Sequence, residues 1–229
     1  MIKLYYHHTP NPAKVALMLE ETGLPYEAVG VDTYKGEQHG AAYRAINPNG
    51  KVPAIADDGV IVFDSNAILL YLAEKTDRFL GAKEDRPRLL SWLMFTASGL
   101  GPYSGQAFHF TRVHGDSAYA TNRYMREVER HYSVMEARLA ASAFLAGREY
   151  TIADIAAWGW LDWAARNQFV FTDADAPQRW PSVRRWLTEI NARPAVERSR
   201  KAGSDLKLKT EFDEETLRAM FPQNFATAL

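Results

Sequence analysis

Apolar positions in the first third of the chain fall into short blocks separated by turn residues. Some blocks have strand length, one repeats apolar side chains at helical spacing up to Gly23, and two flank the Asp58-Gly59 turn of a hairpin. A last block, after Asp64 and Ser65, again has helical spacing. With a helix-like stretch before the hairpin, the predicted order is β-α-β-α-β-β-α. The predicted strands lie at residues 1–6, 26–31, 52–55 and 60–63, and one predicted helix at 14–22.

The pattern changes after residue 87, where helical stretches replace the alternation and no convincing strand remains. Residues 89–110 are long and apolar, and Gly99, Gly101 and Pro102 are expected to kink or break this helix. The order of elements before it is the thioredoxin-like arrangement. We therefore predict an α/β thioredoxin-like domain followed by an all-helical domain. The expected boundaries are 1–78 for the first domain, 79–86 for the linker and 87–229 for the helical domain with a C-terminal extension.

Two neighbouring features of the hairpin and the next helix suit a peptide ligand. Pro53 interrupts an apolar strand, and a cis Val52-Pro53 bond would turn the peptide groups of Val52 toward a peptide-like ligand. Most X-Pro bonds are trans, so an ordinary edge proline is the alternative. Asp64 and Ser65 begin a helix, whose N-terminal N–H groups attract anions, although capping alone also explains this dipeptide. Together the features predict a site for a small peptide with a free α-carboxylate.

The composition limits the possible partners of the chain and the kind of thiol chemistry it can perform. The 229 residues are 47% hydrophobic and 24% charged with a net charge of −1, so no affinity for nucleic acid or anionic membranes is expected. No apolar run approaches ~20 residues and no signal-peptide pattern is present, which predicts a cytoplasmic protein. Cysteine is absent, so thiol chemistry must use a thiol that the ligand carries. His7 and His8 point to opposite sides of an extended segment, and we predict no metal site.

Two motifs carry a family resemblance. Residues 47–55, Asn-Pro-Asn-Gly-Lys-Val-Pro-Ala-Ile, and the Ser-x-Ala-Ile-Leu-x-Tyr-Leu run from Ser65 resemble the glutathione-binding half of the cytosolic glutathione transferase superfamily. The resemblance implies an all-helical second domain, a cis Pro53, main-chain pairing of glutathione at Val52, and a γ-glutamyl carboxylate on Ser65. Asp64 departs from the usual Glu or Gln, and it is expected to accept a hydrogen bond from the ammonium group of the ligand.

The loop after the first strand is where the ligand's sulfur is expected. Redox enzymes of the thioredoxin-like fold carry Cys-x-x-Cys there, whereas this chain has Thr9-Pro-Asn11-Pro. The Thr9 hydroxyl and the Asn11 amide can each donate a hydrogen bond to a thiolate, whose parent thiol has an ordinary pKa of about 8.5. A plain turn sequence is the alternative for this loop, and Tyr6 is the alternative donor. Candidates for the glycine carboxylate of glutathione are Lys35, Gln38 and Lys51.

A narrower resemblance covers roughly residues 1–203. The motifs Thr9-Pro-Asn11, Lys35-Gly-x-Gln38 and Gln106-x-x-His-Phe are similar to those of the bacterial Nu-class transferases, the Ure2-like glutathione-dependent disulfide-bond oxidoreductases. In that group an arginine at the place of Arg130 reaches the glutathione site of the partner subunit, which implies a homodimer. The walls of a second pocket are expected to be Tyr103, Gln106, Phe108, His109 and Phe110.

The resulting hypothesis is a glutathione-dependent disulfide-bond reductase that binds one or two glutathione molecules per subunit. A stabilised thiolate attacks a disulfide and a second glutathione resolves the mixed disulfide, and the same thiolate suits peroxide reduction. Conjugation of glutathione to a small electrophile is the first alternative. The second is a non-enzymatic glutathione-binding or protein-interaction module, because fold alone does not carry function. Residues 211–225 are expected to add one or two helical turns that pack across the dimer or over the cleft.

Overall fold

A four-stranded mixed sheet forms the first part of the molecule, in a computed structural model that describes residues 1–113, 117–170 and 178–225. The strands are β1 (Ile2–Tyr6), β2 (Tyr26–Gly30), β3 (Ala54–Asp57) and β4 (Val60–Phe63). Their order across the sheet is β2-β1-β3-β4. β1 pairs in parallel with β2 and antiparallel with β3, and β3 and β4 form the expected hairpin. A parallel β1–β2 pair requires a crossover between the strands, which the first helix provides.

The helices of this part are α1 (Pro10–Thr22), α2 (Ala41–Arg44) and α3 (Ser65–Thr76). α1 begins four residues earlier than the apolar spacing predicted, because Pro10 and Pro12 fit the first turn, where a helix needs no N–H donor. The helix-like stretch after β2 consists of two short 3₁₀ turns and α2. This order of elements confirms the predicted thioredoxin-like domain.

Helices make up the regular structure described after residue 80, which confirms the predicted fold class. They are α4 (Arg86–Phe95), α5 (Gly101–Phe108), α6 (Ala118–Ala140), α7 (Ile152–Arg166), α8 (Pro181–Asn191), α9 (Pro194–Ser199) and α10 (Glu214–Met220). Within the described residues, none of the helices is long and apolar enough to cross a membrane.

α4 and α5 form one continuous helical path, in which a π-helical turn (Thr96–Leu100) replaces the predicted kink or break. A side chain at Gly99 would place its Cβ 2.3 Å from His131 Nε2 on α6, so this turn requires glycine for the close approach of α6. Such π-turns occur frequently at functional sites. This one lies where the helical part faces the sheet domain, because Thr96 and Ala97 line the cleft between them.

The two parts of the molecule share one hydrophobic core, and α1 contacts α7 at its centre. Gly159 on α7 permits the crossing, since a Cβ there would lie 2.6 Å from the Pro10 carbonyl oxygen and 3.1 Å from Lys14 Cβ. The N-terminus of α7 is fixed by the predicted capping box, in which Thr151 and Asp154 bond to each other's main-chain N–H groups. α7 therefore holds the first turns of α1 in a defined place beside the cleft.

The chain after α9 crosses back to the sheet domain. The main-chain N–H of Lys209 donates to Asp32 Oδ2 at 2.9 Å. α10 then packs on the 3₁₀ turn at Thr33–Lys35, and the Phe221 ring meets His109 at the end of α5, with ring centroids 5.1 Å apart. This C-terminal segment thus lies on its own chain and joins the sheet domain to the helical domain.

Candidate active site

A cleft of about 350 Å³ opens between the sheet domain and α5 and α7. The sheet domain contributes the loop before β3 and the start of α3, and the helical domain contributes the π-turn at Thr96–Leu100, the first turns of α5, and Trp160. Of the predicted site residues, the cleft brings together Asn11, Lys51, Val52, Pro53, Asp64, Ser65 and Gln106.

The Val52-Pro53 peptide bond is cis, as the resemblance implied. Both residues precede β3, so their peptide groups lie outside the strand ladder and at the wall of the cleft. The preceding carbonyl group, that of Lys51, accepts hydrogen bonds from the Tyr43 hydroxyl at 2.7 Å and from Asn47 Nδ2 at 2.6 Å. These two side chains hold the segment in place and leave Val52 available for main-chain pairing with an extended ligand.

Asp64 and Ser65 form the start of α3, where the macrodipole and free N–H groups favour an anion. Asp64 Oδ1 accepts hydrogen bonds from Asn66 N at 2.9 Å and Ala67 N at 3.2 Å, so the carboxylate caps the helix. Asp64 is exposed and its second oxygen is not used in the cap, whereas Ser65 is 5% exposed. One oxygen of the short Asp64 side chain thus caps α3, and the other oxygen remains available beside the cleft.

Lys14 is a cleft residue that the sequence analysis missed. Its side chain is 1% exposed, lines the cleft from α1, and donates from Nζ to Asn66 Oδ1 at 3.1 Å. Burial lowers the pKa of Lys14 to about 7, while the negative charge of Asp64 acts in the opposite direction. The available signal was the position of Lys14 one turn before Met18, within a stretch of α1 that is buried throughout.

Asn11 is oriented by a second residue that the sequence analysis missed, Trp160. Trp160 Nε1 donates to Asn11 Oδ1 at 3.2 Å. An indole N–H can only donate, so this bond fixes the amide oxygen and leaves the amide N–H₂ free to donate. Both residues line the cleft, and the amide can therefore stabilise a negative charge placed there.

Thr9 and Tyr6 line a different cavity of about 270 Å³, which shares no lining residue with the cleft. Thr9 occupies the N-cap position of α1 without a side-chain capping bond. Burial raises the pKa of Tyr6 to about 12, so its hydroxyl stays protonated at neutral pH. The structure thus separates Thr9 and Asn11, which the sequence analysis had grouped, onto two sides of the first turn of α1.

The candidates for the glycine carboxylate differ in their surroundings. Lys51 is exposed at the cleft. Gln38 is 5% exposed and its Nε2 lies 3.2 Å from His39 Nε2. Its buried Oε1 has no hydrogen-bond partner among the residues that the structure describes. Lys35 forms an ion pair with Asp32 at 3.3 Å. Arg130 is exposed on α6 and pairs with Glu127 at 3.0 Å, a surface bond worth little.

The residues expected around a second pocket have different surroundings. Gln106 lines the cleft with Asn11, whereas Tyr103 lies on another side of α5, where it contacts Tyr124 and His131. Phe110 stacks on Tyr124, which Tyr103 also contacts, and His109 contacts Phe110 and Phe221. Phe108 packs on Trp163 and Phe169.

No group of three or more His, Cys, Asp or Glu side chains that could hold a metal ion exists within residues 1–113, 117–170 and 178–225. The polar groups of the cleft are instead amides, two hydroxyls, an indole N–H, a carboxylate and two amines. These groups suit a zwitterionic peptide, because each charge of such a ligand can meet a group of the opposite polarity.

Comparison with known protein families shows to which family the chain belongs. Residues 9–75 match the model of the glutathione S-transferase N-terminal domain, and residues 99–194 match that of the glutathione S-transferase C-terminal domain. The chain belongs to the glutathione S-transferase family. The two matches fall on the sheet domain and on the helical domain of this transferase, so the cleft lies between the two regions that define the family.

Relatives of this transferase include enzymes of disulfide chemistry. It is 41% identical over 205 residues to the disulfide-bond oxidoreductase YfcG of Escherichia coli (strain K12), with 86% of this chain and 93% of the relative covered. A Pseudomonas putida glutathione transferase with one glutathione disulfide bound per subunit is 34% identical, with a TM-score of 0.81 and 86% and 90% coverage. A Burkholderia graminis glutathione transferase with two glutathione molecules bound per subunit is 36% identical, with a TM-score of 0.80 and 88% of each chain covered.

Proposed function

We propose that this transferase is a glutathione-dependent disulfide-bond reductase. The observation that carries the proposal is the position of the Asn11 amide, held by Trp160 in the same cleft as Val52 and Ser65. A tripeptide bound at Val52 and Ser65 brings a thiol close to Asn11, and the chain itself cannot supply one because it has no cysteine. The relatives with bound glutathione, and the similarity to a disulfide-bond oxidoreductase, support the same conclusion.

The proposed anchors match the parts of glutathione. Ser65 and the N-terminus of α3 bind the γ-glutamyl carboxylate, and the second oxygen of Asp64 accepts from the ammonium group. Val52 pairs with the main chain of the cysteine residue of the ligand. Lys51 neutralises the glycine carboxylate, with Gln38 and Lys35 as further donors from the adjoining loop. The sulfur is thereby placed near the N-terminus of α1, where the Asn11 amide favours the thiolate.

The chemistry is thiol–disulfide exchange. The bound thiolate attacks one sulfur of a disulfide substrate, forms a mixed disulfide with it and releases the other half as a thiolate. A second glutathione thiolate then attacks the sulfur of the bound glutathione and releases the remaining half as a thiol. Two glutathione molecules are oxidised to glutathione disulfide, and the two protons they lose are taken up by the two product thiols.

The remaining expectations join this proposal. Thr9 and Tyr6 line the other cavity, so either one becomes the donor only if the sulfur lies on that side of the first turn of α1. Gln106 and the aromatic residues of α5 contact the disulfide substrate. The enzyme works as a homodimer. Arg130 leaves its ion pair with Glu127 and binds glutathione in the site of the partner subunit. Reduced glutathione is maintained in the cytoplasm, which is the compartment such a reductase requires.

Turnover of hydroxyethyl disulfide and of chlorodinitrobenzene, each with glutathione, tests the proposal. We expect faster disulfide reduction than conjugation, and we expect Asn11→Ala to slow the reductase roughly 10- to 100-fold because a charge-assisted hydrogen bond is lost. Faster conjugation would favour the transferase activity instead. Absence of glutathione binding at millimolar ligand in calorimetry would favour a protein-interaction module.

A further inference from the structure

A nearly completely buried lysine with a single neutral partner is an unusual feature of this cleft. Lys14 Nζ donates one hydrogen bond, to the amide oxygen of Asn66, although an ammonium group carries three donors. No carboxylate within the described residues lies within 4.0 Å of it, since Lys14 forms none of the ion pairs present there. Lys14 is therefore a buried amine that lacks a full counter-charge when it is protonated.

Such an arrangement is unfavourable in the ligand-free protein, because a buried charge requires an opposite charge or several hydrogen bonds. Three charged side chains line the described cleft, namely Lys14, Lys51 and Asp64. Asp64 is the titratable group whose charge acts on Lys14 from α3, and its Oδ1 is already used in capping that helix. On the other side, α7 meets Lys14 with Gly159, which has no side chain to offer.

The neighbours of Lys14 point to the part of the ligand it would meet. Asn66, its hydrogen-bond partner, directly follows Ser65 at the start of α3. Both are 5% exposed, and both line the cleft. An anion held on Ser65 and the first N–H groups of α3 would therefore lie beside the residue that Lys14 bonds. The Lys14 ammonium and the helix N-terminus would then share one negative charge.

We propose that Lys14 forms the floor of the γ-glutamyl subsite, and that binding of the α-carboxylate of the ligand transfers a proton from solvent onto its amine. This inference rests on the proposed glutathione site and assigns a positioning and charge-balancing role to a residue outside the predicted anchors. The carboxylate completes the counter-charge that the ligand-free cleft lacks, so bound ligand and protonated Lys14 stabilise each other.

The coupling has a definite sign. Burial holds the pKa of Lys14 at about 7 in the ligand-free protein, so part of the amine is neutral at slightly alkaline pH. An adjacent carboxylate raises the pKa of Lys14, so binding at pH 7.5 should take up a fraction of a proton per site. The affinity for the ligand should correspondingly fall as the pH rises above 7.

Calorimetry with S-methylglutathione measures this uptake, because the blocked sulfur cannot release a proton of its own. Titrations at pH 7.5 in two buffers of different ionisation enthalpy give the number of protons exchanged. We expect uptake by the wild-type protein, and no uptake with roughly 10- to 100-fold weaker binding for Lys14→Met, which keeps an unbranched side chain and removes the amine. Lys51→Met is the matched control, since it removes the exposed lysine proposed to meet the glycine carboxylate and should weaken binding but retain the uptake.

Two ligand analogues test the same point in the unaltered protein, independently of how a variant folds. Replacement of the γ-glutamyl group by glutaryl keeps the carboxylate and removes the ammonium group, and replacement by 4-aminobutyryl does the reverse. Both analogues carry S-methyl groups. We expect proton uptake with the glutaryl analogue alone.

The outcomes separate the two proposals. Binding of S-methylglutathione without proton uptake, or uptake that persists in Lys14→Met, would overturn the role of Lys14 and leave the glutathione site intact. Absence of binding to the wild-type protein would overturn both proposals. Uptake that depends on Lys14 and on the ligand carboxylate would support the inference.

Discussion

Asp154 and Lys14 are two charged side chains buried to the same degree, and their surroundings are opposite. Asp154 is 0% exposed and accepts hydrogen bonds from Leu145 N, Thr151 N, the Thr151 hydroxyl and Trp186 Nε1, at 2.9 to 3.1 Å. Lys14 is 1% exposed and, in the described part of the chain, has one neutral partner, Asn66. The first lies at the closed N-terminus of α7, and the second lies at the open cleft.

The difference distinguishes a structural charge from one that is kept for a ligand. A buried charge with every lone pair occupied can hold a helix end and a loop together, and it has no capacity left for chemistry. A buried charge with free donors in a cleft destabilises the ligand-free state and gains its partner on binding. We therefore assign Asp154 to folding and Lys14 to ligand recognition.

Asp154→Ala should have the largest effect, because it leaves four donors without an acceptor. We expect a loss of roughly 3–5 kcal/mol in the free energy of unfolding, by analogy with the removal of one partner from a buried charged network. Chemical denaturation measures it. Thr151→Ala, which removes part of the same capping box, should cost only about 1 kcal/mol. Equal losses in the two variants would contradict the central position of Asp154 in the network.

Lys14→Met should act in the opposite direction on the ligand-free protein. The pKa of Lys14 is about 7 in the folded state and lies below its unfolded value, so the unfolded chain binds more protons at pH 7–9 and the wild-type stability rises with pH. Relative to Lys14→Met, the wild-type protein should gain about 2 kcal/mol between pH 7 and pH 9. Denaturation curves at both pH values measure the difference. If the unfolding free energies of the two proteins changed equally with pH, burial of the Lys14 amine would not destabilise the folded protein.

Trp160→Phe tests the cleft side of the same helix that carries Asp154. The change removes the hydrogen bond that orients the Asn11 amide, and we expect roughly a 10-fold lower rate of disulfide reduction with little change in unfolding free energy. Trp163→Phe on the next part of α7 is the control, since Trp163 lines the second cavity. A similar loss of rate in both variants would point to packing of α7 as the cause.

Arg166→Ala should have the smallest effect on glutathione binding, because Arg166 lines the second cavity and not the cleft. Asp162 is 1% exposed and bonds to Arg166 at 2.7 Å and to Arg200 at 2.6 Å, so it resembles Asp154 more than Lys14. We expect the affinity for glutathione, measured by calorimetry, to change by less than about twofold. A tenfold loss would place glutathione in the cavity beside Thr9.

Local patterns predicted much of this architecture because their causes lie within a few residues. The hairpin follows from its turn residues, and the start of α7 follows from the capping box at Thr151 and Asp154. The cis Val52-Pro53 bond was implied by the family resemblance, and base rates for proline pointed to the trans form.

The site was harder to predict because its defining contacts join distant segments. Lys14 and Asn66 are 52 residues apart, and Asn11 and Trp160 are 149 residues apart. No short motif encodes such pairs, since they depend on the packing of α1 against α3 and α7. For the same reason Thr9 and Asn11, neighbours in one motif, face different cavities.

The ionisation of bound glutathione tests the account most directly. Titration of the ultraviolet absorbance of the thiolate in the binary complex gives the pKa of the bound thiol, which is about 8.5 for an ordinary thiol. We predict a value at least about one unit lower in the wild-type complex, and a return toward the ordinary value in Asn11→Ala with glutathione still bound. A bound thiol that titrates as it does in free solution, or that is unaffected by Asn11→Ala, would contradict the claim that this cleft activates the sulfur through Asn11.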